Sequence, residues 1–313
     1  MKPTMGVLIT YFNERELLCE CLESLRLQTL PPDEIIIYDD HSEFPAHLYV
    51  PGDMPVRIMR GEEKRGPGRG RNVLLAASSA EYIHFHDCDD VFLPEWCQRV
   101  HQTIEQTGAE LVLTEISSFR EDKIICEKVM KLQDAKPGGD FVAFNIGRAI
   151  LTSGGVYRRS RVMDIGGYRE QLEYSEDFDF HVRMAAGGAA FAVISEPLIM
   201  LRLREAGRTY KDQISTYWGG IQAIQLLAGE LPAKYRDVLA EHAAYLGSRL
   251  FGVGSYLKAR QAFRLAKKIG RPFFAHKSKR YRLAVKVCGI ECTEWAALAF
   301  RTVRFKGPRI NKR

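Results

Sequence analysis

The sequence predicts an α/β fold, a mostly parallel sheet with flanking helices, followed by a helical, basic C-terminal region. Three observations lead there. Short apolar runs (MGVLITY from Met5, EIIIY from Glu34, EYIHFH from Glu81, ELVLTEI from Glu110) alternate with segments of helical periodicity, the pattern of β-α-β units. The runs are continuously apolar, as in strands covered on both faces. After about Arg208 the strand pattern stops and helical segments follow, so the chain divides into 1–208 and 209–313.

The elements follow in order. MGVLITY is a buried first strand. Asn13 caps a helix, NERELLCECLESLRLQT, with Glu14 and Glu16 in its first turn and Leu18, Cys21, Leu22 and Leu25 on one face. Pro31-Pro32 stops it. EIIIY is a second strand ending at Asp39-Asp40, and Pro55 to Arg60 a weaker third. A Gly/Pro-rich loop, Gly66 to Gly70, precedes a helix through Asn72 to Ser79. EYIHFH is a fourth strand, Pro94 opens a helix ending at Gly108, and ELVLTEI is a fifth strand. Further on, GGVYRRS reads as a strand and turn. SEDFDFHVRMAAGG reads as a helix starting near Ser175 or Glu176 and closed by Gly187, and FAVISEPLIMLRL as two short strands. Helices are then expected at Gln213 to Leu227, Pro232 to Leu250, Leu257 to Lys268 and near Glu294 to Arg304, with a break at Pro272.

Bulk properties narrow the function classes. An apolar content of 46% and a charged content of 27% are those of an ordinary soluble protein. No run reaches the roughly 18 apolar residues of a membrane span. The opening MKPTMGVLITYF is too short for a secretory leader and reads as a strand. Seven cysteines without a CxxC pair suggest reduced thiols in a cytoplasmic protein. His84, His86 and Cys88 lie close together, but no second ligand pair with zinc spacing follows, so they read as strand residues. The net charge of +6 hides an asymmetry: Leu250 to Arg313 holds 17 Lys and Arg against Glu291 and Glu294, a net +15. That segment mixes Phe263, Phe273, Phe274, Trp295 and Phe300 with its cations. It suits either an anionic membrane surface or a solvated helical face. No nucleic-acid motif accompanies it, so no nucleic acid is expected.

The carboxylates point to chemistry. EYIHFHDCDD sets Asp87, Asp89 and Asp90 at the end of an apolar strand. Two like charges about 4 Å apart repel by roughly 4 kcal/mol at an effective dielectric near 20, so a bound cation is the obvious counterweight. Ligands of open α/β sheets bind beyond the carboxyl ends of strands. That puts Thr10 to Asn13, Asp39-Asp40 and Asp87 to Asp90 on one rim. A dinucleotide-binding fold is excluded, because the first turn, TYFNERE, lacks G-x-G-x-x-G and GPGRGRN does not follow the first strand. No P-loop is present.

With these residues in place, the chain resembles a GT-A-fold glycosyltransferase of family 2 over about residues 4 to 205. The matching pieces are ITYFNERELLCECLESLRLQT, EIIIYDDHS, KRGPGRGRNVLLAASSAEYIHFHDCDDVFLP with its DxD motif, and GGYREQLEYSEDFDFHVRM with its Glu-Asp pair. The resemblance implies inverting transfer from a nucleotide-sugar donor, UDP being favoured, to a glycan or lipid-linked acceptor in cell-surface polysaccharide synthesis. It implies Mg2+ or Mn2+ held by Asp89. Asp87 would contact the ribose or support the metal, and Asp90 would support it or cap a helix before Pro94. Asp40 would accept a hydrogen bond from the nucleobase, with Asp39 pointing the other way. Thr10 and Phe12 would line the base pocket. Arg71 would contact base or phosphates, or only pair with the acidic rim. Asp177 would be the general base, with Glu176 beside it. At a helix N-terminus Asp177 is expected to be held as the anion, a weak base until substrate excludes water. Asp179, four residues before Arg183, reads as a helix-surface pair. The stretch MLRLREAGRTY lacks the family's His, leaving Arg204 and Arg208 to close over the diphosphate. The acceptor groove would come from Phe119 to Arg148 and the segment after Arg204. The alternatives are a non-catalytic GT-A-like scaffold and, more weakly, a nucleotidyltransferase. The expected location is cytoplasmic, peripheral at the inner face of the membrane.

Overall fold

The computed structural model describes residues 2–121, 123–135, 138–148, 150–204, 212–274 and 277–305, the last eight through their backbone alone. The chain separates into two units, Met1–Lys211 and Asp212–Arg313.

The first unit runs β1 (Met5–Tyr11), α1 (Arg15–Arg26), β2 (Glu34–Asp39), β3 (Val56–Arg60), α2 (Pro67–Ala77), β4 (Tyr82–Asp87), β5 (Val91–Phe92), α3 (Trp96–Thr107), β6 (Leu111–Arg120), β7 (Lys123–Cys126), α4 (Phe141–Gly147), β8 (Gly155–Arg158), α5 (Arg159–Asp164), α6 (Glu176–Ala186) and β9 (Phe191–Arg202). These strands form one mixed sheet in the order β3-β2-β1-β4-β8-β6-β9-β5, with β7 paired to β6. The pairs β3–β2, β2–β1, β1–β4 and β6–β9 are parallel. β8 runs antiparallel between β4 and β6. Val7, Leu8, Ile9, Ile36, Ile37, Ile83 and Phe85 are fully buried, as expected of strands covered on both faces. Register positions the site: Thr10 lies opposite Asp87, and Tyr11 opposite Asp39.

Several elements depart from expectation. Asn13 does not cap α1; it takes a left-handed φ of 59° and its Oδ1 accepts from the Phe44 N–H, so the helix starts at Arg15. The two strands expected in FAVISEPLIMLRL are one, β9. Its register against β6 shifts on either side of Glu115, which faces Pro197. The irregularity absorbs the residue that lacks an N–H, as bulges do. The short strands β5 and β7 were not expected at all.

The second unit is helical: α7 (Gln213–Glu230), α8 (Arg236–Gly252), α9 (Tyr256–Ile269) and α10 (Lys279–Phe305), the last kinked at Gly289 (φ 79°). Asp212 caps α7 by accepting from the Ser215 N–H. Small residues let α8 and α9 approach closely: a Cβ at Gly247 would come within 2.5 Å of the Phe263 ring. Among the described residues no helix is long and apolar enough to cross a membrane.

Candidate active site

The rim at the carboxyl ends of β1, β2 and β4 collects the expected acidic residues. Asp87 closes β4, half-exposed, with Oδ1 accepting from Thr10 Oγ1 (3.3 Å) and Arg71 Nη2 (2.8 Å). Arg71 is buried on α2, and its Nη1 donates to Glu176 Oε1 at 2.9 Å. One guanidinium therefore links the DxD strand to the Glu-Asp helix, with the Tyr168 ring 5.1 Å from it. Of the two roles foreseen for Arg71, the pairing with rim carboxylates is the one seen in this structure. Burial, the largest single effect, would raise the Asp87 pKa, but the Arg71 charge and hydrogen bond, with His86 and Thr10, together outweigh it and hold the carboxyl below the ordinary range.

Asp89 meets a different cation. Arg204 Nη2 donates to Asp89 Oδ2 at 2.7 Å, while both terminal nitrogens of Arg204 bond the Glu14 carboxylate (2.7 and 3.0 Å). Burial and the neighbouring Asp87 charge push the Asp89 carboxyl up against the pull of Arg204. Asp90 is not a helix cap. It is buried, accepts from Ser153 Oγ (2.9 Å) and the Arg202 N–H (3.1 Å), and ties β4 to β8 and β9. Burial, then the charges of Asp89 and Asp87, push its carboxyl well up. Two arginines thus stand against the carboxylate repulsion that suggested a bound cation. Arg208 lies outside the described residues.

Asp40 is also committed locally. Its two oxygens accept from the backbone N–H groups of Arg65 and Gly66, each at 2.8 Å, and so pin the loop before α2. Gly66 sits there at φ 85°, which favours glycine. Asp39 points away, as expected, accepting from the Ser42 and Ala46 N–H groups and from Arg60. Asp40→Ala leaves two partly exposed backbone donors without their carboxylate, and is expected to cost about 0.5–1.5 kcal/mol in denaturant unfolding. Phe12 is not core: it is half-buried at the rim with the Lys64 ammonium 3.9 Å from its ring centre.

On α6, Asp177 is partly exposed, and among the described residues its side chain bonds only the N–H of Phe178 (2.7 Å). Its carboxyl is pushed up to about 7, first by burial and then by the Glu176 charge. This corrects the expectation of an anion stabilised by the helix terminus: desolvation is the larger effect. Asp179 is not a surface residue; it is fully buried between Arg183 (2.7 Å) and Arg169 (3.5 Å). His84 and His86 face each other at 3.0 Å inside the sheet, as strand residues. All seven cysteines are free. Among the described residues no three His, Cys, Asp or Glu side chains converge as a metal cage.

Sequence reasoning gave Glu14 only a place in the first turn of α1, which begins after it at Arg15, and gave Arg202 and Tyr168 no role. Glu14 holds Arg204, Arg202 Nε donates to the Asp89 carbonyl at 3.1 Å, and Tyr168 lies beside Arg71. Their partners are far away in the chain, so no local pattern marks them.

Comparison with known proteins now bears on this rim. The profile of Glycosyl transferase family 2 matches residues 6–166, more than half of the chain and a span that includes Asp40, Asp87 and Asp89. The chain belongs to glycosyl transferase family 2. This family 2 glycosyltransferase is 30% identical over 250 residues to the uncharacterized glycosyltransferase YwdF of Bacillus subtilis (strain 168), covering 76% of this chain and 89% of that protein. It is 27% identical over 211 residues to the amylovoran biosynthesis glycosyltransferase AmsE of Erwinia amylovora, covering 63% and 75% of the two chains. Its fold is that of S. aureus TarS 1-349, solved in complex with UDP-GlcNAc: TM-score 0.72 at 17% identity, over 96% of this chain and 92% of that one. The GT-A architecture expected for the glycosyltransferase is therefore shown.

Proposed function

We propose that the protein is an inverting glycosyltransferase. It moves a sugar from a nucleotide-diphosphate donor, UDP first among them, to a hydroxyl of a glycan or lipid-linked acceptor in cell-surface polysaccharide synthesis. The observation that carries this reading is the single guanidinium of Arg71. It spans from Asp87 on the donor rim to Glu176, next to Asp177. A carboxylate suited to take a proton near neutrality therefore lies one side chain from the strand end where a diphosphate would lie. The UDP-GlcNAc complex of TarS and the polysaccharide in the name of AmsE support the substrate classes.

In this reading Asp40, Thr10 and Phe12 bound the nucleoside pocket. Asp177 removes the proton of the acceptor hydroxyl as its oxygen forms the new bond to the anomeric carbon. The bond to the diphosphate breaks on the opposite face, and one displacement inverts the centre. Asp89, with Asp87 in support, fits a hard cation that completes its coordination with phosphate oxygens and water, since a rim with one or two available carboxylates is not an all-protein cage. Asp89 would hold Mg2+ or Mn2+, which supplies Lewis acidity for the leaving diphosphate. Arg204 now pairs with that carboxylate and is placed to exchange it for a diphosphate. The reading includes peripheral attachment to an anionic membrane from the cytoplasmic side, supported by the basic charge of the second unit.

The test is calorimetric titration of UDP, GDP, dTDP and CMP with and without Mn2+, on the wild type and on Asp89→Ala. The expected result is metal-dependent binding of one nucleoside diphosphate, lost in the variant. Folded protein that binds none of them would overturn the donor site.

A further inference from the structure

We infer that a groove between α7 and α9 in the second unit is a binding site for the phosphate of an anionic lipid headgroup. It has a volume of about 370 Å³. Trp218, Ile221 and Gln225 line it from α7, and Gln261, Arg264 and Lys268 from α9. The spacings 218-221-225 and 261-264-268 each put three residues on one helix face. The buried stripe of α9 (Ala259, Ala262, Phe263, Ala266) is a different face, used in packing within the unit. Apart from the buried Ile221 and the half-buried Leu265, the groove is therefore lined by side chains that the helical core does not bury.

The chemistry of the lining selects the ligand. Arg264 and Lys268 have no ion-pair or hydrogen-bond partner among the described residues, whereas Arg260 on the same helix pairs with Glu291 at 3.2 Å. A third cation, Lys258, stands with its ammonium 5.5 Å from the Trp218 ring centre. Two cations and two carboxamides line the groove with no acidic residue among them, and Lys258 adds positive charge beside Trp218, a set that suits a phosphate diester. The indole floor gives the ester's carbon skeleton an apolar surface. Trp is also the side chain best matched to the headgroup region of a bilayer.

A lipid is the source that the surroundings favour over a soluble phosphate ester. Leu257, next to Lys258, is 80% exposed, and Tyr256 is exposed beside it. Phe273, Leu283, Val287 and Trp295 are further exposed apolar side chains of the same unit. Basic and apolar groups presented together bind an interface by burying apolar area and attracting anionic lipid. The inference deepens the membrane attachment proposed above and is independent of the transfer chemistry in the first unit.

The experiment measures partition of the full-length protein onto vesicles of phosphatidylcholine, alone and mixed with phosphatidylglycerol. Glycerol phosphate is titrated in parallel as the soluble ester. Arg264→Glu/Lys268→Glu is compared with Lys267→Glu/Arg271→Glu, which changes the net charge equally away from the groove. The groove pair is expected to lose roughly tenfold or more of the binding to mixed vesicles. The control pair should lose clearly less, and both should keep the wild-type circular dichroism and thermal unfolding, which report an intact fold. Binding of glycerol phosphate that only the groove pair loses would support the phosphate site and move its source to a soluble ester. Equal losses in the two pairs would overturn the groove while leaving membrane attachment standing. Failure of the wild type to bind either probe would overturn both.

Discussion

Asp177→Asn is expected to slow sugar transfer by about 10²–10⁴-fold, the usual weight of a general base, with nucleotide binding intact. The amide keeps the shape of the side chain and its contact with the Phe178 N–H through oxygen, but it cannot take a proton. Because the carboxyl is pushed up to about 7 by burial and by Glu176, a second signature follows. At pH well above 7 the base is ionised and transfer should be at its plateau. As pH falls through 7 the carboxyl protonates and the rate should fall, tenfold per unit once the limb is reached. The same shift acts on stability with the opposite sense. A carboxyl raised in the folded state binds its proton more tightly there than in the unfolded chain. Its effect on folding is therefore least unfavourable below the ordinary carboxylate range, and worsens as pH rises toward 7. Asp177→Asn removes that charge, so its melting temperature at neutral pH should not be below that of the wild type. Rates measured against pH on both proteins, with thermal unfolding alongside, check the argument. An acidic limb near the ordinary carboxylate value, or an active and well-folded Asp177→Asn, would remove Asp177 from the role of base.

Arg71→Met carries the largest expected cost to the fold. The guanidinium is buried, bonds Asp87 and Glu176 at 2.8 and 2.9 Å, and lies beside the Tyr168 ring. Removing it leaves two carboxylates facing each other, with Asp87 deprived of the charge that holds its pKa down. Breaking a fully buried pair from one side costs about 3–5 kcal/mol, and since Glu176 is nearly buried while Asp87 is half-exposed, about 2–4 kcal/mol is expected here. Urea unfolding should show a midpoint shift of that size. Arg71→Lys should recover only part of it, since one ammonium does not reproduce the fork that reaches both carboxylates. Nucleotide binding and transfer should fall together in both variants, as the donor rim and the base lose their shared anchor. A loss within the range of ordinary surface substitutions would show that the bridge does not hold the rim.

Much of this molecule was legible in its sequence. The continuous apolar runs marked β1, β2, β4 and β6, because a strand covered on both faces has nowhere to place a polar side chain. Periodicity marked α1, α6 and α7 to α9 within a turn or two. The carboxylates at strand ends marked the rim, although Asp39, Asp40 and Asp90 also hold loops and strands within the fold. Pairing beyond the next element was not legible. β8 inserts antiparallel between β4 and β6, and β5 is a strand of only two residues; neither leaves a period to read. β9 passes Pro197 unbroken because β9 itself bulges there, its extra residues flanking the pair Glu115–Pro197, and that register is set only by pairing with β6.

The same boundary runs through the site. Residue types and their order in the chain, Asp40, Asp87, Asp89 and the Glu176-Asp177 pair, were determined by the sequence alone, and with them the family. Which cation each carboxylate meets was decided only in three dimensions. Arg71 reaches Glu176 across 105 residues, and Arg204 reaches Asp89 across 115 and Glu14 across 190. The protonation of Asp177 was decided there too. Its position at a helix start favours the anion by a local effect of at most about 2 kcal/mol. Desolvation, and after it the Glu176 charge, push the carboxyl the other way, because the cost of taking a charge out of water depends on everything packed around it. Sequence records what is bonded along the chain, and solvent exclusion is a property of what gathers across it.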